Sequence, residues 1–164
     1  MTATFFIGIT EESIVVRVTG HGTREYGPAF VAEVSAAVHQ MPDQTLIVDL
    51  EQCEFLDSTF LGCLVTLFQK TKTRMYVCAG EAQQLRLFSS ARIDRLIPVR
   101  KPNTVRYPEQ WRRISGCGER DACALAETVV EAHRYLAGIE GPNAETYRKV
   151  ADQLECELQS RLPK

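Results

Sequence analysis

Between Asp57 and Cys63 the chain sets a carboxylate, two hydroxyls, a glycine and a thiol in the run Asp-Ser-Thr-Phe-Leu-Gly-Cys, just after an apolar Phe-Leu pair. Ser58 and Thr59 carry hydroxyls that can accept a phosphate. At a helix start that phosphate would meet unpaired backbone N–H groups and the positive end of the helix dipole. Asp and Ser are also preferred N-capping residues, so capping alone, worth about 1 kcal/mol, accounts for part of this corner. It does not account for the residues one and two turns further on. Counting by four from Ser58 gives Gly62 and Thr66, and the adjacent row from Thr59 gives Cys63, Thr66 and Lys70. An ordinary soluble helix shows Glu and Lys on such an outward strip, and a glycine inside a helix costs up to about 1 kcal/mol relative to alanine. Small neutral groups let another protein come close. The pattern therefore predicts a docking surface made by Asp57, Ser58, Thr59, Gly62, Cys63 and Thr66, with Ser58 at its tip.

Other chemistries find less support in the residues. Ser58 lacks a Gly-x-Ser-x-Gly elbow, and none of His21, His39 and His133 has a sequence context that marks it as a catalytic base. His133 reads as a helix-surface residue. Cys117, Cys123 and His133 come nearest to a metal constellation, but their spacings match no structural zinc pattern. No glycine-rich phosphate loop occurs. No cofactor, no metal and no enzymatic activity are expected. Cys53, Cys63 and Cys78 lie in apolar stretches, where a reduced thiol acts as a small hydrophobe.

The elements that must position the corner emerge from periodicity. The runs TFFIGI and SIVVRVTG are rich in β-branched and aromatic residues and are separated by TEES, a hairpin signal. From Gly27, the segment GPAFVAEVSAAVHQM places Phe30, Val34 and Val38 on one helical stripe, with Pro28 in the first turn. TLIVDL is a strand buried on both faces. The stretch after Ser58 is a helix to about Lys72, RMYVCAG a second buried strand, EAQQLRLFSSARI a helix, and LIPVRK a short edge strand. This order demands an α/β fold: a small mixed sheet covered mainly on one side by helices.

After residue 100 the texture changes. The stretch RKPNTVRYPEQWRR, residues 100–113, with two prolines and no period, reads as solvated, and residues 101–118 as a linker. Residues 119–164 read as a helical hairpin, its helices spanning about Glu119 to Ala137 and Asn143 to Leu162. Its stripes are Ala122, Ala126, Val129, Val130 and His133 on the first helix, and Tyr147, Val150, Ala151, Leu154 and Leu158 on the second. Such stripes must dock on the α/β domain, on each other, or on a second chain as a homodimer. Overall composition is that of a globular protein, with 45% hydrophobic and 24% charged residues and a net charge of −2. That balance argues against nucleic acid or an anionic membrane as partner. With no bilayer-length apolar run and no signal-peptide pattern, a cytoplasmic location is expected.

The strand and helix order, the stretch LIVDLEQCEFL and above all DSTFLGCLVTL resemble the STAS domain of bacterial anti-sigma factor antagonists, over about residues 4 to 100. The resemblance implies that Ser58 matches the serine phosphorylated by a partner that is both anti-sigma factor and serine kinase. The unphosphorylated protein would capture that partner and release the sigma factor. Phosphorylation would end the capture, and a serine phosphatase would restore it. Family members often carry an acidic residue soon after the second strand's Thr-Gly, in the loop that faces the kinase; here Thr23 stands near that place, with Glu25 two residues on. The alternative the resemblance allows is a constitutive STAS interaction subunit of another bacterial assembly, such as a transport or stress-signalling complex.

Overall fold

Thr4–Ile9 (β1) and Ser13–Gly22 (β2) form an antiparallel hairpin, closed where the Thr10 amide donates to Ser13 O. The computed structural model describes residues 2–71, 74–80, 82–114 and 122–161. Gly27–Gln40 (α1) leads to Thr45–Asp49 (β3), Cys53–Leu56 (β4), Ser58–Thr71 (α2), Met75–Cys78 (β5), Ala82–Ser90 (α3) and Val99–Arg100 (β6). Among the described residues seven strands form one mixed sheet, ordered β6-β5-β3-β2-β1-β7, where β7 is Arg112–Arg113 and β4 pairs with β2 off this path.

The stretch LIVDLEQCEFL that leads into Ser58 forms two strands. β3 lies parallel to the first half of β2, while β4 lies parallel to its last residues, Gly20 to Gly22. Gly20 makes the divergence geometrically allowed. It has φ +74°, and a Cβ there would stand 2.6 Å from Thr2 O. The end of β2 is thereby freed from β3 to carry β4, and β4 delivers Asp57 and Ser58 to the sheet's rim.

Alternation along β2 divides the core. Ile14, Val16 and Val18 join Phe5, Leu46 and Val48 beneath the helices, where the rings of Phe5, Phe30 of α1 and Phe60 of α2 meet one another at centroid distances of 4.8–5.8 Å. Val15, Ile47, Tyr76 and Cys78 point to the other face. That face is covered by the stretch expected to be a solvated linker: Val105, Tyr107 and Trp111 pack on it, Ile114 is buried, and β7 adds an antiparallel edge to β1. Its arginines conceal apolar and aromatic residues at irregular spacing, which lie across strands without a period of their own.

The expected C-terminal hairpin forms from Ala122–Ala137 (α4) and Ala144–Arg161 (α5). The positions expected at Glu119 and Leu162 lie outside the described residues. Arg134 of α4 pairs with Asp152 and Glu155 of α5. The hairpin also docks on the α/β layer, since Leu136 enters the main core and Tyr147 packs at its margin. Consequently α2 is sandwiched between sheet and hairpin, and every residue from Thr59 to Leu67 is buried. A helix without charge is what such an all-round buried position requires. No helix among the described residues is long and apolar enough to cross a membrane.

Candidate functional site at the start of α2

Asp57 is the N-cap of α2. Its Oδ1 accepts from the Phe60 amide at 2.8 Å, three residues on, and its Oδ2 accepts from the Arg24 amide at 2.8 Å. One carboxylate thus satisfies an orphan helix donor and ties down the loop after β2, while the Asp57 amide donates to Gly22 O at 3.0 Å. Thr23 stands on that loop, at the start of the 3-10 turn Arg24–Tyr26. The sequence-predicted residues Thr23, Asp57 and Ser58 therefore share one corner at the carboxyl end of β2 and β4. Asp57→Ala removes both acceptors and is expected to cost about 1–2 kcal/mol, read as a lower melting temperature; Asp57→Asn keeps the cap and should lose less.

The strip behind this corner does not face solvent. Ser58 is half-buried, and Thr59, Cys63 and Thr66 are buried. The occupant of the strip is α4 of the same chain. A Cβ on Gly62 would stand 2.4 Å from Ala132 Cβ and 2.6 Å from Ala132 O, so glycine is needed for the two helices to approach this closely. Cys63 Sγ and Thr128 Cγ2 lie 3.0 and 3.1 Å from the point where a Gly27 Cβ would be, placing the thiol in the seam between α1, α2 and α4. At the rim Lys70 Nζ reaches Glu131 at 2.9 Å. Burial, reinforced by the Asp57 and Glu131 carboxylates, pushes the Cys63 thiol far above its ordinary pKa and keeps it protonated and unreactive while covered.

His133 is not a surface residue. It is 4% exposed, and Nε2 lies 3.1 Å from Ser58 Oγ. Nδ1 lies 2.7 Å from Val129 O, an atom that can only accept, so Nδ1 carries a proton. In the neutral ring Nε2 is then left to accept from the Ser58 hydroxyl. Hydroxyl, imidazole and orienting carbonyl make the relay of an activated serine. The hydroxyl, however, faces a packed helix with the Asp57 carboxylate beside it, where an oxyanion would be repelled. Here the contact is a lock between helices. A signal for it was present in sequence: His133 falls on the stripe with Val129 and one turn before Ala137.

Cys117 and the Cys123 side chain lie outside the described residues. Among the described residues no group of three or more His, Cys, Asp or Glu could hold a metal ion.

A family model described as Mlab, STAS domain, matches residues 5–98. Among solved structures, an anti-sigma factor antagonist from Mycobacterium paratuberculosis is similar at 25% identity and a TM-score of 0.54, over 62% of this chain and 86% of its own. The anti-sigma factor antagonist SpoIIAA in its unphosphorylated form shares the fold at 18% identity and a TM-score of 0.53, over 60% of this chain and 90% of its own. No curated protein matches the chain. The family match ends before β6, so α4 and His133 stand beyond it.

Proposed function

The chain belongs to the STAS domain family, and from that premise we propose that it is an anti-sigma factor antagonist switched by phosphorylation of Ser58. In the unphosphorylated form it binds a partner that is both anti-sigma factor and serine kinase, freeing a sigma factor for transcription. Phosphate on Ser58 ends the binding, and a serine phosphatase resets it. The observation that carries this reading is the position of Ser58 in the first turn of α2, at a sheet rim, beside a cap that Asp57 completes without using the serine hydroxyl. The likeness to the mycobacterial antagonist supports it.

The energetics suit a switch. Phosphate would add about −1.5 to −2 charges next to Asp57. The helix N-terminus would offset part of that repulsion, by about 0.3–1 kcal/mol. A partner interface centred on Ser58 would instead bury an unmatched charge, costing about 2–5 kcal/mol, or roughly 30-fold to several-thousand-fold in affinity. The sheet and its first three helices tolerate what the interface does not. Thr23 would lie on the partner's side of the corner, and Asp57, Thr59, Gly62, Cys63 and Thr66 would support or line the contact. The protein itself would act in the cytoplasm as a binding module and catalyse nothing.

Phosphopeptide mapping tests this, on protein from growing and stressed cells and after incubation with the cognate kinase. Phosphate on Ser58 is expected. Phosphate on Thr59 alone, or on neither residue, overturns the reading. A second reading, a constitutive STAS subunit of another bacterial assembly such as a transport or stress-signalling complex, draws support from the seating of α4 on the same strip. A strip already filled needs no phosphate to silence it. Under that reading partner binding is indifferent to Ser58→Asp.

A further inference from the structure

The hydroxyl assigned to phosphorylation is not free in the folded chain: it is bonded to His133, and the helix surface behind it is covered by α4. We infer that the α4–α5 hairpin is an intramolecular gate over the Ser58 strip, which must lift before a kinase or a partner protein can reach that strip. This rests on the proposed role of Ser58.

Three observations carry the inference. First, the contact is specific to the strip. His133 Nε2 meets Ser58 Oγ at 3.1 Å, and Ala132 sits where any side chain on residue 62 would be. A protein approaching Ser58 along α2 and α4 of the same chain would occupy one volume. Second, the hairpin keeps contacts of its own that need not break when it moves: Arg134 pairs with Asp152 and Glu155, and the His133 and Tyr147 rings meet edge to face at 5.9 Å. It can lift as a unit. Third, along the Ser58 strip the seam is built of small or polar groups, Ser58, Gly62, Cys63, Ala132 and His133, while the larger anchors, Leu136 with Tyr135, Ile139 and Tyr147, meet the main core further along the hairpin. Small groups bury little apolar area, so the stretch of seam over the strip is held more weakly than the aromatic core beside it. The anchors in the main core make closure the dominant state. A partner then binds with its intrinsic affinity reduced by the open fraction, and any event that lifts α4 raises apparent affinity without altering the docking residues.

Cys63 reports the gate independently of any partner, because it lies in the seam, whereas Cys78 is buried elsewhere against the sheet. The full chain is treated with iodoacetamide under native conditions, and alkylation of Cys63 and Cys78 is followed by peptide mass spectrometry. Cys63 is expected to react at least about tenfold faster than Cys78. Ala132→Leu, which cannot fit against Gly62, is expected to speed Cys63 by about a further tenfold and leave Cys78 unchanged. Glu131→Lys, a milder change, should raise the Cys63 rate, and adding Lys70→Glu should bring it back. If both thiols react together in every variant, the hairpin is a fused part of the core and the gate does not exist. If Cys63 is no faster in Ala132→Leu than in the wild type, it fails equally. Ser58 phosphate, measured in the same cells, should be higher in Ala132→Leu than in wild type; equal, non-zero phosphate in the two overturns the gate while the phosphoacceptor reading stands. Selective opening at Cys63 with no phosphate in any sample upholds the gate and sinks the phosphoacceptor reading instead.

Discussion

Ser58→Asp is expected to detach α4 from α2 while the sheet and its first three helices stay folded, and to lower affinity for the proposed anti-sigma partner by roughly 30-fold to several-thousand-fold. On the seam sterics and charge act in the same direction, whereas at the interface the buried charge outweighs the gain from an uncovered strip. A carboxylate oxygen extends about 1.2 Å beyond the position of the serine oxygen, and Ser58 Oγ already lies 3.1 Å from His133 Nε2. The new charge also stands next to Asp57, and Glu131 lies on the facing helix. Pairing with a protonated His133 would require a buried ion pair at too short a distance, and such pairs seldom recover their desolvation cost. Ser58→Ala is the control. It removes one hydrogen bond, worth about 0.5–1.5 kcal/mol, and leaves the seam closed. Calorimetric titration against the proposed anti-sigma partner reads the affinity, and Cys63 alkylation reads the seam. An aspartate variant that binds as tightly as wild type would remove Ser58 from the interface.

The corner was legible in sequence because its chemistry is local. Asp57 caps a helix whose donor lies three residues on, and that relation is written into the run Asp-Ser-Thr-Phe. The uncharged strip at Gly62, Cys63 and Thr66 was equally legible as a contact surface. What a linear reading lacks is the identity of the surface's occupant, since Ala132 is 70 positions from Gly62 in the chain. His133 shows the same limit. Its place on an apolar stripe is visible, but a lone histidine reads as exposed until both ring nitrogens have partners, and Ser58 and Val129 O supply them only in the folded state.

The second face of the sheet was less legible for a different reason. β3 and β5 read as strands buried on both faces, which already demanded a second cover. The helices among the described residues went to the first face and its outer layer. The cover came from residues 105–111, inside a stretch, 100–113, whose prolines and arginines give the composition of a solvated segment. Extended chain laid across a sheet needs no period, so periodicity could not find it. Arg17 is what makes that basic, aromatic segment fit.

Replacing Arg17 by methionine is accordingly expected to destabilise the protein by about 2–4 kcal/mol, below the full penalty for a broken buried pair because Arg17 is itself a quarter exposed. Arg17 Nε donates to Asp49 Oδ2 at 3.0 Å, and Asp49 is 1% exposed. The Glu51 amide, 3.0 Å from Oδ1, remains as a partner but cannot neutralise the charge. The guanidinium also lies 4.8 Å from the Tyr107 ring centre and 4.6 Å from that of Trp111, so one cation holds the carboxylate and the aromatic cover together. Burial, with the Asp49 carboxylate adding to it, pushes the Tyr107 phenol up to about 12. Removing both charges is the discriminating step: Arg17→Met with Asp49→Leu should recover most of the loss, because the penalty comes from an unmatched charge and not from the missing pair. Urea unfolding of the two singles and the double, followed by Trp111 fluorescence, closes the cycle. Additive losses would mean that Arg17 stabilises the second face through its rings alone and that Asp49 is indifferent to it.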